Sequence, residues 1–122
     1  DPGSGQMKYL KQLILSRPFL ERVPDQSLIS GENGLKYDFL IATRGANYAY
    51  IYTYNGRNIP VRMGKIPGKK VKASWYDPRS GETQFIGKFA NNGKHEFDPP
   101  GVVADGNDWV LIIDSIGKRN YQ

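Results

Sequence analysis

The side chains with catalytic potential in this chain are one histidine and a set of scattered carboxylates. His95 lies in a predicted strand beside an Asn-Gly turn, and no serine motif is present that it would activate as a general base. A glycosidase needs two carboxyl groups about 5 to 9.5 Å apart across a cleft. Most of the available carboxylates fall at turns, where aspartate caps the backbone through its own side chain. The available carboxylates are those of Asp77, Glu82, Glu96, Asp98, Asp105, Asp108 and Asp114. We therefore predict no catalytic residue here and no enzyme activity for the chain by itself.

Metal and cofactor chemistry is equally poorly represented. The Asp105-Gly106-Asn107-Asp108 loop offers several oxygen ligands, but it lacks the closing glutamate of a twelve-residue calcium loop. An ordinary Asx-rich turn is the expected structure. The chain has 0 cysteines, which excludes disulfides and thiolate metal sites. We predict neither a metal nor a cofactor.

Aromatic residues are the most suggestive feature for binding, with 8 tyrosines, 5 phenylalanines and 2 tryptophans. Trp75 and Trp109 are expected in the core. Residues 48, 50, 52 and 54 are all tyrosines, so they point to one face of a strand. Such a ladder is either an exposed platform for sugar rings or bases, or the buried side of a sheet. The candidate ligand-binding residues are Tyr50, Tyr52, Tyr76 and Arg79.

Charge is distributed unevenly along the chain, which carries a net charge of +5. No acidic residue occurs between Asp38 and Asp77, while this stretch contains seven basic residues. The stretch is either a solvated set of loops and strand faces or a surface that attracts polyanions. Nucleic acid is not a predicted partner, since only this charge and the aromatics favour it. No apolar run approaches the roughly 18 residues of a membrane-spanning helix.

The elements that would position these residues begin with one amphipathic helix. Residues 1–5 are turn-rich, and apolar positions at helical spacing predict a helix over residues 6–16. Arg17-Pro18 ends it, because proline disfavours the α conformation in the preceding residue. Residues 18–36 form an irregular connector. A lone helix must bury its apolar stripe, and we expect its partner to lie partly outside this chain.

The rest of the chain alternates with a period of two residues, which is typical of strands. Residues 38–44 and 47–54 predict a hairpin through Gly45-Ala46, and Asn55-Gly56 predicts a second hairpin into residues 59–63. Further strands are predicted at 69–76, 83–89, 95–97 and 109–113, and the end at 116–122 is expected to fray. Seven or eight short strands predict an all-β fold, an antiparallel β-sandwich, with an open barrel as the other arrangement of this pattern.

Several motifs resemble one known family. They are Ser16-Arg17-Pro18-Phe19, residues 23–29, Ala42-Thr43-Arg44-Gly45, residues 75–82, Phe97-Asp98-Pro99-Pro100-Gly101 and Asp108-Trp109-Val110-Leu111. The chain resembles, over about residues 5–115, the "putative collagen-binding" C-terminal domain that follows the catalytic barrel in apiosidase-like glycoside hydrolases of polysaccharide-degrading bacteria. The Trp-Tyr-Asp-Pro-Arg-x-Gly motif followed by Trp-Val-Leu carries most of the resemblance.

The resemblance implies a β-sandwich packed on a (β/α)8 barrel. Residues 1–17 would be the last barrel helix, 18–36 the connector, and 37–122 the C-terminal module. The catalytic carboxylates would lie in the barrel, outside this chain, and the protein would be extracellular or periplasmic. The expected contacts with the barrel are Leu10, Leu13, Ile14, Phe19, Leu20 and Val23.

We therefore expect a non-catalytic accessory domain of a secreted bacterial glycoside hydrolase, which braces the barrel of the same polypeptide and frames its substrate cleft. The alternative is an autonomous module that binds carbohydrate, such as a plant polysaccharide, or collagen and other extracellular-matrix protein.

Overall fold

A computed structural model describes residues 2–117 of the chain, with side chains from residue 7 onward. Helix α1 spans Pro2–Leu15 and so begins four residues before the predicted start. Proline is accepted in the first turn of a helix, where its missing N–H has no partner to lose. The helix ends before Arg17-Pro18, as predicted. Among the described residues, no helix is long and apolar enough to cross a membrane.

Eight strands follow the helix: β1 Val23–Pro24, β2 Ile41–Arg44, β3 Tyr48–Thr53, β4 Ile59–Arg62, β5 Lys70–Tyr76, β6 Thr83–Ala90, β7 Lys94–Phe97 and β8 Trp109–Ile116. Six form one sheet in the order β1-β2-β3-β8-β5-β6, and β4 pairs with β7 in a second sheet. Every pairing is antiparallel. The predicted all-β, antiparallel sandwich with one N-terminal helix is confirmed. Of residues 116–122, which are expected to fray, Ile116 is the last residue of β8. Residues 118–122 lie outside the described part.

One of the two predicted hairpins is present and the other is not. β2 pairs with β3, and β5 pairs with β6 through the turn after Tyr76. The predicted hairpin at Asn55-Gly56 is wrong, because β4 leaves the first sheet and pairs with β7 in the second. The Asn55 side chain is buried and its amide donates to Asp38 Oδ1 at 2.7 Å. This asparagine therefore anchors a crossover between the sheets, and does not sit in a two-residue hairpin loop.

The main core lies between the two sheets. Alternate residues of the strands point into it, as the period of two requires. Its largest members include Ile51, Ile59, Trp75, Phe97, Trp109 and Leu111. Trp75 and Trp109 are each 5% exposed and their ring centroids lie 6.3 Å apart, so the prediction that both are core residues is confirmed.

A second, smaller core lies on the opposite face of the six-stranded sheet, beneath α1. It joins Leu13 of the helix to Tyr48, Tyr50, Tyr76, Val110 and Ile112 of the sheet. The six-stranded sheet of this chain is therefore a partner of the helix, and it buries part of the apolar stripe. The two-stranded sheet covers one face of the six-stranded sheet, and α1 covers part of the other.

Candidate functional site

The tyrosine ladder faces the helix. Tyr48 and Tyr50 are 1% and 7% exposed, and Tyr76 on β5 is 6% exposed. Tyr52 is half-buried at the edge of the same cluster. Of the two interpretations open from the sequence, the buried one holds for Tyr50 and Tyr76, and the exposed ligand platform is wrong for both. The reason is that α1 covers the face on which they lie.

The hydroxyls of these tyrosines bond to the backbone of the helix and the segment after it. Tyr76 Oη donates to the Tyr9 carbonyl at 2.6 Å, Tyr50 Oη to the Leu13 carbonyl at 2.9 Å, and Tyr48 Oη to the Pro18 carbonyl at 2.5 Å. The last four carbonyls of any α-helix have no partner within the helix. Of the three carbonyls, only that of Leu13 belongs to this last turn, so Tyr50 supplies part of the missing partnership. All three bonds fix the helix and the segment after it in position on the sheet.

Two arginines just after the helix complete this arrangement. Arg17 forms a bidentate pair with Asp114 of β8, with both N···O distances 2.7 Å. Arg22 donates to the Ile14 carbonyl at 2.8 Å and to Tyr48 Oη at 2.8 Å. Its guanidinium lies 5.0 Å from the Tyr50 ring centroid, within cation–π range. Positive charge at a helix C-terminus also complements the helix dipole.

We call this set the clamp: Arg17, Arg22, Tyr48, Tyr50, Tyr76 and Asp114. The hydrogen bond from Arg17 to Asp114 raises the pKa of the guanidinium, which keeps the arginine charged. Sequence reasoning missed Arg17, Arg22 and Asp114 as site residues. The available signal was the two basic residues that follow the predicted helix end.

The predicted contact residues divide between the interior and the surface. Leu13 is buried within the chain at 6% exposure and Leu10 is half-buried, so both are used by the helix–sheet core. Leu20 is 91% exposed, and four other large apolar side chains near it are between 44% and 52% exposed. We call the exposed apolar side chains of the helix end, the connector and β2 the apolar shoulder: Ile14, Leu15, Phe19, Leu20, Val23 and Ile41. An open apolar cavity of about 370 Å³ lies between Ile14 and Ile41.

Arg79 lies in a polar corner at one end of the sheet. Its guanidinium donates to Asp77 at 3.0 Å and to Asn107 at 3.3 Å, and it lies 5.3 Å from the Trp109 ring centroid. Asp108 is 1% exposed and accepts from Tyr52 Oη at 2.9 Å. Burial raises the pKa of Asp108 and that of Tyr52. Arg79 and Tyr52 therefore join two turns to the sheet, and their polar groups are used within the chain.

The histidine and the acidic side chains give no sign of a catalytic or metal site in the part of the chain that the structure describes. His95 is exposed on β7, and its ring lies against those of Phe89 and Phe97, with ring centroids 4.6 and 4.5 Å away. Within the described residues, no group of three or more histidine, cysteine or acidic side chains has the arrangement of a metal site.

The chain is similar in sequence and in structure to known proteins. The family described as "Putative collagen-binding domain of a collagenase" matches residues 23–114. A solved structure titled "Glycoside hydrolase" shares 50% identity and a TM-score of 0.91 over 97% of this chain. A glycoside hydrolase family 5 structure from Bacteroides vulgatus shares 46% identity and a TM-score of 0.91 over 100% of the chain. The search of curated proteins returned no significant match.

This chain matches only part of each of these enzymes. The chain spans 26% of each of the two glycoside hydrolase chains. It thus corresponds to a small accessory part of such enzymes.

Proposed function

Since this chain belongs to the family described as "Putative collagen-binding domain of a collagenase", we propose that it is a non-catalytic accessory module of a bacterial glycoside hydrolase and that it braces the catalytic domain of the same polypeptide. The observation that carries this proposal is the clamp. A sheet that bonds through side chains to the backbone of an N-terminal helix holds that helix in one orientation.

In this proposal residues 1–17 belong to the catalytic barrel, 18–36 connect, and 37–122 are the module. The helix presents Leu13 to the sheet and leaves Met7, Ile14 and Leu15 exposed, at 67%, 44% and 52%. An amphipathic helix with apolar side chains on two sides fits a position between two packed bodies. The apolar shoulder extends that surface onto the connector. Exposed apolar patches of this kind are typical of protein interfaces.

The proposal that catalysis lies outside this chain is supported by where its carboxylates go. Asp25 pairs with Arg44 at 2.6 Å, Asp77 with Arg79 at 3.0 Å and Asp114 with Arg17 at 2.7 Å. A carboxylate whose oxygens are bonded to an arginine within a turn or between strands is already occupied and does not face a substrate. The tyrosines that would have carried an autonomous collagen- or carbohydrate-binding module lie under α1, which favours the accessory role.

The test of bracing replaces the shoulder in the complete polypeptide. Phe19→Ser combined with Leu20→Ser removes two exposed apolar side chains, so the fold of the module itself should persist. The matched control is Leu35→Ser, which changes an 83% exposed leucine outside the shoulder. We expect the shoulder variant to lower the thermal unfolding temperature of the catalytic domain and to shorten the half-life of hydrolytic activity on heating. Unchanged values for both would refute bracing.

A location outside the cytoplasm goes with this proposal, because polysaccharides are too large to enter a cell intact. Fractionation of the native host tests it: the complete polypeptide should be recovered from the medium or periplasm, and recovery only from the cytoplasm would contradict it.

A further inference from the structure

On the side of α1 away from the apolar shoulder, the outer face of the six-stranded sheet stays uncovered. A cavity of about 290 Å³ lies there between the helix and strand β5. Polar side chains line it from both elements, with apolar surface from Leu13 and Ile112 between them. The polar side chains are Gln12, Ser16 and Arg17 on the helix side, and Lys72, Ser74, Thr83 and Asp114 on the sheet side. The cavity floor along β5, from residue 72 to residue 76, is roughly 13 Å long at 3.3 Å per residue.

The next strand continues this surface. Phe85 is directly opposite Ser74 in the β5–β6 register, and Lys88 is directly opposite Lys72. Phe85 is 60% exposed, although a phenylalanine ring on a sheet normally packs against something. The Lys72 amino group lies 5.9 Å from the Phe85 ring centroid. We call this combined surface the lysine trough, formed by the cavity together with Phe85 and Lys88.

The trough has an excess of positive charge. Like charges directly opposite each other on neighbouring strands are destabilising, and Lys72 and Lys88 form such a pair. The strand on the other side of β5 places Asp114 opposite Lys72, but both oxygens of that carboxylate are bonded to Arg17. Among residues 7–117, neither lysine forms a salt bridge. An external anion would therefore relieve the repulsion between these two lysines.

The chemistry of the trough matches one class of ligand. An exposed aromatic ring stacks on the apolar face of a sugar, hydroxyl and amide side chains bond to sugar hydroxyls, and paired lysines bind carboxylates. A neutral sugar would leave the two lysines unused, and an acidic peptide would leave the exposed ring unused. We propose that the lysine trough binds an acidic oligosaccharide, a chain of uronic acid residues. Carboxylates would lie at Lys72 and Lys88, with a ring stacked on Phe85.

This binding is separate from bracing, since it uses the opposite side of α1 and none of the shoulder residues. The experiment is calorimetric titration of the full chain with oligogalacturonate, and with its fully methyl-esterified form as the uncharged counterpart. We expect saturable binding of the acid that weakens as salt is raised, and binding of the ester at least about tenfold weaker, because the charge-assisted contacts are lost.

Variants locate the site. Lys72→Gln with Lys88→Gln should weaken binding about tenfold or more, and Phe85→Ser should weaken binding of the acid at every salt concentration. The matched control, Lys65→Gln with Lys94→Gln, removes the same charge from exposed positions by the two-stranded sheet and should change affinity less than about twofold. All five positions are exposed, so circular dichroism should show the native fold in each variant.

Four results would overturn the proposal, three of them in the titrations just described. Those three are no binding of the acid, equal binding of the acid and its ester, or an equal loss of affinity in the trough and control variants. Binding of polyaspartate as tight as that of oligogalacturonate would show general polyanion attraction and would overturn it as well. Bracing is measured on the stability of the catalytic domain, so either proposal can fail without the other.

Discussion

The clamp predicts a specific cost for removing a single oxygen atom. Tyr48→Phe keeps the ring of a side chain that is 1% exposed and deletes only its hydroxyl. That hydroxyl donates to the Pro18 carbonyl at 2.5 Å and accepts from Arg22 Nε at 2.8 Å. Both partners lose a bond, although partial exposure allows water to replace some of it.

The magnitude follows from these two bonds. A neutral hydrogen bond contributes about 0.5–1.5 kcal/mol net, and one to a charged group about 1.5–3 kcal/mol. Discounting the arginine bond for its access to water gives a loss of about 2 kcal/mol in the free energy of unfolding. For a domain of this size that corresponds to a fall of roughly 6–10 °C in the thermal midpoint.

The assay is thermal unfolding of the full chain followed by circular dichroism, with Tyr37→Phe as the control. Tyr37 is 62% exposed, and its hydroxyl makes no hydrogen bond within the described residues. The control should lie within about 1 °C of the parent, because surface changes of this kind cost little. If Tyr48→Phe and Tyr37→Phe unfold at the same temperature, the helix is not held by its hydroxyl bonds and the reasoning fails.

Three further predictions concern stability away from that contact. Burial raises the pKa of Asp108, so the folded state holds its proton more tightly than the unfolded state and stability should fall as pH rises from about 4 through the raised pKa. Urea unfolding at several pH values should show this slope, and Asp108→Asn should abolish the part of it that Asp108 contributes. Gly81 has φ +79°, and a Cβ there would lie 2.5 Å from the Tyr9 ring, so Gly81→Ala should lower the free energy of unfolding by about 1–3 kcal/mol in chemical denaturation. The control Gly93→Ala, with φ +71° and open space around the new Cβ, should lower it only by the conformational part of about 1 kcal/mol. The Asn91 side chain bonds to Ile66 O, Gly68 O and Gly64 N at 2.7, 2.8 and 2.8 Å, so Asn91→Ala should cost about 2–4 kcal/mol and increase amide hydrogen exchange at Gly64.

Local pattern was enough to predict most of the secondary structure. Alternation over residues 69–76 and 83–89 predicted β5 and β6, and the tryptophans at 75 and 109 were predicted as core and are core. These predictions succeed because strand periodicity and turn chemistry depend on residues adjacent in sequence. The helix start was placed four residues late, since Pro2 and the glycines after it read as a turn while the backbone is helical from Pro2.

The candidate site was harder to predict, and Tyr50 shows why. A strand's alternation places residues 48, 50, 52 and 54 on one face, but it does not say which body covers that face. The answer depends on a contact between residue 50 and residue 13, far apart in the chain. The same holds for Arg17 and Asp114, which are 97 positions apart in sequence and form an ion pair at 2.7 Å.

The sequence by itself determined the all-β class, the N-terminal helix, most strands, the tryptophan core and the family resemblance, because each is written in local spacing or in a contiguous motif. Only the tertiary structure decided that Asn55-Gly56 is a crossover and not a hairpin. It also decided that the tyrosines hold a helix, and that Lys72, directly opposite Lys88, lies beside an exposed phenylalanine. Those features depend on strand order and register between distant segments, which the burial of a shared core selects and no local pattern encodes.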